Sequence, residues 1–229
     1  MTYSKAAPPG TTLIAACGSL YGLAKRAYER TVAASDRAPQ QHDALSAIIL
    51  SVVSLEAFIG ELEVATRFFA PHAPEAASRN RGRALVDALE LIEEGKGQLT
   101  LKFQIAKFIL TGKPYETGTR PYQHFDLLLD VRNGLIHPKP FAVKTDDSGS
   151  LMDPFRKFRE KLRSLEITAE IPGENVVAPL STWVQTKAAA RWACNTAAEM
   201  AHSLFETSAE DSLVAALKTL LPNSFVRIP

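Results

Sequence analysis

Apolar residues recur at steps of three and four along most of this chain, which is the spacing of helices that bury one face. A first helix is predicted from a cap at Thr11 or Thr12 to about Ser35. The longest helix follows a short turn and continues to about Ala70, because Pro71 ends it. Six apolar residues form its predicted core face: Leu45, Ile48, Ile49, Val52, Leu55 and Ile59.

Glycine and proline divide the middle of the chain into further elements. The polar segment from His72 to Arg83 is predicted to be a mobile tip. Helices are predicted near 83–94 and 98–110, separated by Gly95-Lys96-Gly97, which is a strong stop signal.

The most apolar segment of the chain runs from Phe125 to Pro140, and it is predicted to be a helix of about four turns. Pro121 can occupy its first turn, where the missing N–H costs nothing. Pro138 disfavours helical geometry at His137, and Pro140 prevents a restart. The helix is therefore expected to stop at His137.

The segment after this helix contains the only plausible strands. Residues 141–143 and 165–171 are predicted as strands, the second because apolar and polar residues alternate along it. Between them, Asp153 as an N-cap and Pro154 at the first position predict a short helix. We interpret 141–180 as a small β-containing insertion.

Two helices complete the prediction. One is capped by Ser181 or Thr182 and runs to about Glu206, and Ser208 starts another that ends at Pro222. The first is rich in alanine, and small side chains let two helix axes approach closely. We therefore expect it to lie tight against another helix.

These elements together predict an all-α fold class. We expect an antiparallel helical bundle in a single domain over 1–229, with a flexible tail at 1–10 and the insertion at 141–180. A chain of 229 residues can bury a core large enough to fold without disulfides or metals. Hydrophobic residues at 46% and charged residues at 22% are typical of a globular protein.

Composition also limits the classes of function. The formal net charge of +1 gives no global attraction to polyanions, so any RNA contact has to be local. Two cysteines, Cys17 and Cys194, form neither a disulfide framework nor a cysteine metal site, and they fit a reducing, cytoplasmic compartment. No run of about 18 apolar residues is uninterrupted, so no membrane span is expected. The segment ending at Cys17 superficially resembles a lipoprotein cleavage site, but Pro8 and Pro9 interrupt the apolar run that should precede it.

Polar residues on the central helix fall on one stripe. Four of them recur at steps of four, three and four: Asp126, Asp130, Asn133 and His137. Arg132 lies instead within the apolar sector, where a charge is costly unless it meets an anion, a carbonyl or a ligand. On an ideal helix Arg132 and His137 point roughly 140° apart. If both serve one site, either the helix end bends or a second chain brings another copy of the pair alongside.

The run Arg132-Asn133-Gly134-Leu135-Ile136-His137 resembles the signature motif of the HEPN superfamily of helical ribonuclease-like proteins. In that family an arginine begins the motif, a polar residue (often asparagine) follows, and a histidine closes it after a few residues. Leu55-Glu56-Ala57-Phe58-Ile59 in the long helix and Thr111-Gly112-Lys113-Pro114 upstream of the motif resemble the same family. The resemblance covers about residues 11–140 and, less closely, the C-terminal helix.

The resemblance implies a metal-independent endoribonuclease that acts as a homodimer, with the motif in a cleft between two protomers. RNA can be cut without a metal if a base takes the 2′-hydroxyl proton, an acid protonates the leaving 5′-oxygen and a cation stabilises the phosphoryl oxygens. His137 is the candidate general acid/base, and Arg132 is the candidate phosphate ligand. Asn133 and Glu56 are candidates to orient them, and a twofold contact would supply two copies of each group.

A structural role is the alternative for each of these residues. Arg132 can pair with Glu56 in the core while His137 and Asn133 only cap the end of the helix. The competing class of function is a non-catalytic dimerisation module, or a nucleotide- or RNA-binding module, whose polar motif only shapes an interface.

Basic residues supply the candidate RNA contacts. Lys139, Arg156, Lys157 and Arg159 can track a phosphate backbone, although such a run is more often a solvated helix face. Lys139 also stands where one HEPN branch has a tyrosine that a partner nucleotidyltransferase modifies, which argues against that mode of toxin–antitoxin regulation. The histidines show no metal-ligand spacing, so neither a metal nor a cofactor is expected, and Trp183 fits a core better than a base-stacking platform. A regulatory or antitoxin partner is left open, and a role in phage defence or stress is implied by the resemblance alone.

Overall fold

The structure is a computed structural model, and it describes residues 16–34, 42–138, 144–145, 151–152, 156–169, 178–206 and 211–229. Nine α-helices lie within these ranges: α1 (Cys17–Ala33), α2 (His42–Phe69), α3 (Ala76–Glu94), α4 (Leu99–Thr111), α5 (Tyr122–Ile136), α6 (Arg156–Arg163), α7 (Leu180–Val184), α8 (Lys187–Ser203) and α9 (Ser212–Leu220). Single 3-10 turns, Ala70–His72 and Pro222–Ser224, follow α2 and α9.

The predicted all-α class is confirmed. In the described part of the chain, extended pairing is limited to β1 (Lys144–Thr145) and β2 (Leu151–Met152), which form an antiparallel pair with Thr145 opposite Leu151.

One predicted strand is wrong and the other lies outside the described residues. Residues 165–169 form a turn and an irregular segment after α6, because Glu166 takes a left-handed conformation with φ of 55° that ends any extended run. The N–H of Ala169 donates to the carbonyl oxygen of Trp183 at 2.8 Å, so this segment is tied to α7 and not to a strand. The strand predicted at 141–143 and the cap predicted at Asp153 fall outside the described ranges.

The long helix α2 runs through the core. Ile48, Val52, Leu55 and Ile59 on its predicted apolar face are buried. Phe58 of this helix contacts three further rings at centroid distances between 5.6 and 6.5 Å: Phe103, Phe205 and Phe225. Buried side chains from α1 to the C-terminal segment belong to one cluster, so a single core unites the described helices.

The prediction that the alanine-rich helix packs closely is confirmed by α8, which lies against α1, α2 and α5. The buried face of α8 consists mainly of small residues, which allow this close approach: Ala189, Ala190, Ala193, Cys194, Ala197, Ala198 and Ala201. The hydroxyl of Tyr21 in α1 donates to the carbonyl oxygen of Val226 at 2.9 Å and so ties α1 to the C-terminal segment.

The mobile tip predicted from His72 to Arg83 is wrong, because α3 already begins at Ala76. Ser78 and Gly82 of its first turns are buried, and a Cβ at Gly82 would collide with Ala70 in the 3-10 turn after α2. The small residues of this polar segment therefore serve close helix packing.

The C-terminal helices also begin at other residues than predicted. The helix expected from Ser181 or Thr182 to Glu206 is divided into α7 and α8, because Thr186 is extended and its Oγ1 accepts from the N–H of Ala189 at 2.9 Å. The last helix is capped by Asp211, whose Oδ1 accepts from the N–H of Val214 at 2.9 Å. Ser208, the predicted cap, lies outside the described residues.

One described segment, His42–His72, is long and apolar enough to cross a membrane by length and composition. Of its most apolar window, 56% is buried inside the protein, as in a core helix, so these two criteria alone assign no membrane span.

Candidate functional site

The central helix α5 ends where the sequence predicts. His137 is its C-cap residue, and the N–H of His137 donates to the carbonyl oxygen of Asn133 at 2.9 Å. Pro138 follows, and it cannot supply a further N–H to the helix. His137 and Asn133 are exposed at this end of the helix.

Arg132 lies on a different face of α5, where it forms an ion pair and hydrogen bond with the carboxylate of Glu56 in α2. The Arg132 side chain is 19% exposed and the Glu56 side chain 44%. The Nε of Arg132 is buried and has no hydrogen-bond partner among the described residues. Within one chain, the side chains of Arg132 and His137 therefore do not approach each other. This agrees with the wide angle between their directions on an ideal helix.

His137 opens onto a cleft of about 660 Å³ between the end of α5 and the α6–α7 region, hereafter the His137 cleft. Its polar lining consists of Asp130, Asn133, His137 and Arg159. Its apolar lining consists of Pro138, Phe158, Ala178, Pro179, Leu180 and Trp183, with Gly134 at the helix surface. This volume and this mixture of a mostly apolar wall with a few polar groups are typical of a small-molecule site.

The arginine of the cleft is fixed by an aromatic ring. The guanidinium of Arg159 lies 4.6 Å from the centroid of the Trp183 ring, and that of Arg163, one helical turn on, lies 4.9 Å from it. Burial and the neighbouring charge of Arg163 lower the pKa of Arg159, so an anion beside this guanidinium would be favoured. Trp183 itself is 3% exposed, and its indole N–H donates to the carbonyl oxygen of Ala178.

A carboxylate faces the same cleft from α5. Partial burial and the charge of Asp126 raise the pKa of Asp130, whereas Lys161 acts in the opposite direction. Asp130 and Asn133 are three residues apart, so their Cβ atoms are about 5–6 Å apart on one helix face. The cleft therefore presents an acceptor carboxylate beside an amide.

The predicted site residues thus divide into several groups. Asn133, His137 and Arg159 share the His137 cleft, whereas Arg132 and Glu56 pair with each other outside its lining. Lys139 lies outside the described residues. Arg156 and Lys157 lie in α6, and only their backbone is described.

The sequence does not predict that Trp183 and Asp130 belong to the cleft. Trp183 is buried as predicted, and it also forms part of the cleft wall beneath Arg159. Asp130 shares the polar stripe with Asn133 and His137, and this stripe is the sequence signal that could have indicated its place in the cleft.

Other features of the described residues bear on the site less directly. No group of three or more potential metal ligands occurs among them.

A second, more open cavity of about 710 Å³ lies between the start of α5, the end of α8 and the C-terminal segment, where Arg227 contacts Glu199 at 3.2 Å.

No protein-family model, no curated protein and no solved structure matches this chain. The resemblance to the HEPN superfamily therefore rests on the residues of the motif alone. A function for the His137 cleft has to be argued from the chemistry of the side chains that line it.

Proposed function

We propose that this chain is a metal-independent endoribonuclease with a HEPN-like helical bundle, and that it acts as a homodimer with His137 as the general acid/base. The observation that carries the proposal is that His137, Asn133 and Arg159 line one cleft. An imidazole can transfer a proton near neutral pH, and a guanidinium can stabilise charge on phosphoryl oxygens. These are the groups that metal-free cleavage of RNA requires.

In the proposed reaction the 2′-oxygen attacks phosphorus and its proton passes to a neutral imidazole. The bond from phosphorus to the 5′-oxygen breaks, and an imidazolium gives a proton to that leaving oxygen. The products are a 2′,3′-cyclic phosphate and a 5′-hydroxyl. One turnover needs both a neutral imidazole as base and an imidazolium as acid. In a homodimer, the His137 of the second protomer would supply the second of these two groups.

The face of α2 and α5 around Arg132 supports a twofold partner. Ile136, one helical turn after Arg132 on α5, is 43% exposed, and a Cβ added at Gly60, one turn after Glu56 on α2, would meet nothing within 4 Å. The buried Nε of Arg132 also lacks a partner among the described residues. A second copy of the chain packed on this face would cover Ile136, which directly precedes His137 at the end of α5, and bring two Arg132–Glu56 pairs to one interface.

The test is an assay of folded RNAs in excess EDTA with the wild type, His137→Ala and Arg132→Ala. We expect cyclic phosphate ends from the wild type and loss of cutting by His137→Ala of at least about a hundredfold. His72→Ala is the matched control, because His72 lies in the 3-10 turn after α2 and does not line the His137 cleft. Equal cutting by all four proteins would contradict the proposal.

Sedimentation equilibrium tests the dimer separately. We expect a mass of two chains at micromolar concentration, and Ile136→Asp should shift the equilibrium toward one chain, because it places a charge on the covered face. A wild type that sediments as a single chain at that concentration would refute the homodimer.

A non-catalytic nucleotide- or RNA-binding module is the second candidate. The specific observation in its favour is that Arg132 already forms an ion pair with Glu56 of the same chain. This candidate predicts RNA binding that Arg159→Ala weakens, with no cyclic phosphate produced under any condition. The basic residues Lys139, Arg156 and Lys157 remain predicted RNA contacts in both cases, and a cytoplasmic location remains a prediction.

A further inference from the structure

We propose that the His137 cleft is a guanine-specific subsite, in which Asp130 and Asn133 bind the Watson–Crick edge of a guanine base. The inference rests on the proposed function in that the base would belong to an RNA strand. It goes further because it names which nucleotide occupies the cleft and which residues select it.

The carboxylate of Asp130 supplies the first half of the recognition. An ionised carboxylate only accepts hydrogen bonds, and it accepts two parallel ones well. Guanine is the only standard RNA base with two adjacent donors on its Watson–Crick edge, the ring N1–H and the exocyclic amino group. Adenine and cytosine place a ring acceptor beside their amino group, and uracil flanks its single N–H with carbonyl oxygens, so each of these would face the carboxylate with a lone pair.

Asn133 supplies the second half. Its side-chain amide carries two donors, and it lies on the same helix face as Asp130, about 5–6 Å away at Cβ. The distance across a base edge is similar, so this amide can donate to the guanine O6 while Asp130 accepts from N1 and the amino group. The unused acceptor of the amide would remain free to face the solvent.

The rest of the cleft suits the remainder of a nucleotide. Leu180 and Phe158 give it an apolar wall against which a base face can lie, and unstacked RNA bases are commonly bound in this way. Arg159, held over the Trp183 ring, supplies a fixed positive charge for a phosphate. A cleft of about 660 Å³ is within the range that holds a ligand of nucleotide size.

The electrostatics of Asp130 agree with this assignment. Partial burial and the charge of Asp126 disfavour its ionised form, whereas the charge of Lys161 favours it. A ligand that donates two hydrogens to this carboxylate would relieve that cost, whereas a ligand that presents an acceptor would increase it.

The experiment measures binding of the 5′-monophosphates of guanosine, inosine, adenosine and xanthosine by calorimetry. We expect guanosine monophosphate to bind at least about tenfold more tightly than inosine monophosphate, which lacks only the exocyclic amino group. Asp130→Asn should reverse the preference toward xanthosine monophosphate, because an amide donates to the carbonyl that replaces the amino group. Asp126→Asn is the matched control, since Asp126 lies on the same stripe but does not line the cleft, and it should keep the guanine preference.

Equal affinities for the four nucleotides, or no binding of any of them at millimolar concentration, would overturn the guanine subsite. The discrimination between guanosine and inosine monophosphate is a property of the wild type, so it does not depend on the folding of a variant. RNA cutting with His137-dependent cyclic phosphate ends but without a guanine preference would overturn only this inference. Guanine-selective binding by a protein that cuts no RNA would overturn only the endoribonuclease.

Discussion

Arg132 in α5 and Glu56 in α2 form an ion pair within one chain, at a point where the guanidinium is mostly buried and the carboxylate is half exposed. The pair joins the helix that carries the motif to the longest helix of the core. It therefore contributes to stability even if RNA never contacts it.

A double-mutant cycle measures this contribution. We expect Glu56→Gln and Arg132→Met to destabilise the protein individually and to show a coupling free energy of about 1 kcal/mol in urea unfolding, because the exposed carboxylate is screened by solvent. The matched control is the pair of Arg30 and Asp43, which is exposed on both sides and should show a smaller coupling. A coupling of zero between Glu56 and Arg132 would mean that the pair is not maintained in solution.

The second prediction concerns His124 and Trp192, which are in contact inside the protein. The indole N–H of Trp192 donates to Nδ1 of His124 at 3.1 Å, so the imidazole is neutral in this contact. Burial lowers the pKa of His124, and the charges of Arg120 and Lys161 lower it further, whereas Glu199 raises it.

Because the pKa of His124 is lower in the folded than in the unfolded protein, the unfolded state binds a proton first as the pH falls. The free energy of unfolding should therefore be largest above the ordinary histidine pKa of about 6.5 and should decline as the pH is lowered below it. His124→Gln keeps an acceptor for the indole and cannot titrate, so urea unfolding at pH 7.5 and pH 5.0 should show a smaller decline for this variant. An equal decline in both proteins would show that other groups cause it.

The directions of side chains on α5 could be predicted from the sequence, whereas their neighbours could not. Residue spacing fixes the angle between Arg132 and His137, and the structure indeed sends them to different surroundings. Nothing in the spacing indicates that Arg159 and Trp183 approach this helix end, because that contact depends on how α6 and α7 pack.

Some helix boundaries could likewise be predicted from the local sequence, whereas others could not. The end of α5 before Pro138 is a local effect of proline, and it was predicted correctly. The early start of α3 depends on a tertiary contact, the packing of Gly82 against Ala70, and the cap at Thr186 before α8 is supported by a tertiary hydrogen bond from Thr186 to the carbonyl oxygen of Ile167 at 2.7 Å. Local sequence signals do not report such contacts.

The third prediction uses the one glycine of α5 that lines the His137 cleft. A Cβ added at Gly134 would approach Cδ2 of Leu180 to 2.7 Å, and because this is the end of a flexible side chain, Leu180 can move instead of the backbone. Gly134→Ala should therefore stabilise α5 through the higher helix propensity of alanine, and the displacement of Leu180 should cancel part of this gain. We expect the free energy of unfolding to stay within about 0.5 kcal/mol of the wild type. The displaced Leu180 would narrow the cleft, so binding of guanosine monophosphate should weaken about tenfold.

Gly22→Ala in α1 is the matched control for Gly134→Ala. The nearest atom to a Cβ at Gly22 is the Nη1 of Arg26 at 3.9 Å, which is an ordinary contact, so this variant should be stabilised by about 0.5–1 kcal/mol and should bind nucleotide as the wild type does. Urea unfolding and calorimetry on the two variants separate the effect on helix propensity from the effect on the cleft. If Gly134→Ala bound nucleotide as tightly as Gly22→Ala, the ligand would not occupy the space beside Leu180, and the assignment of the base to this wall would be wrong.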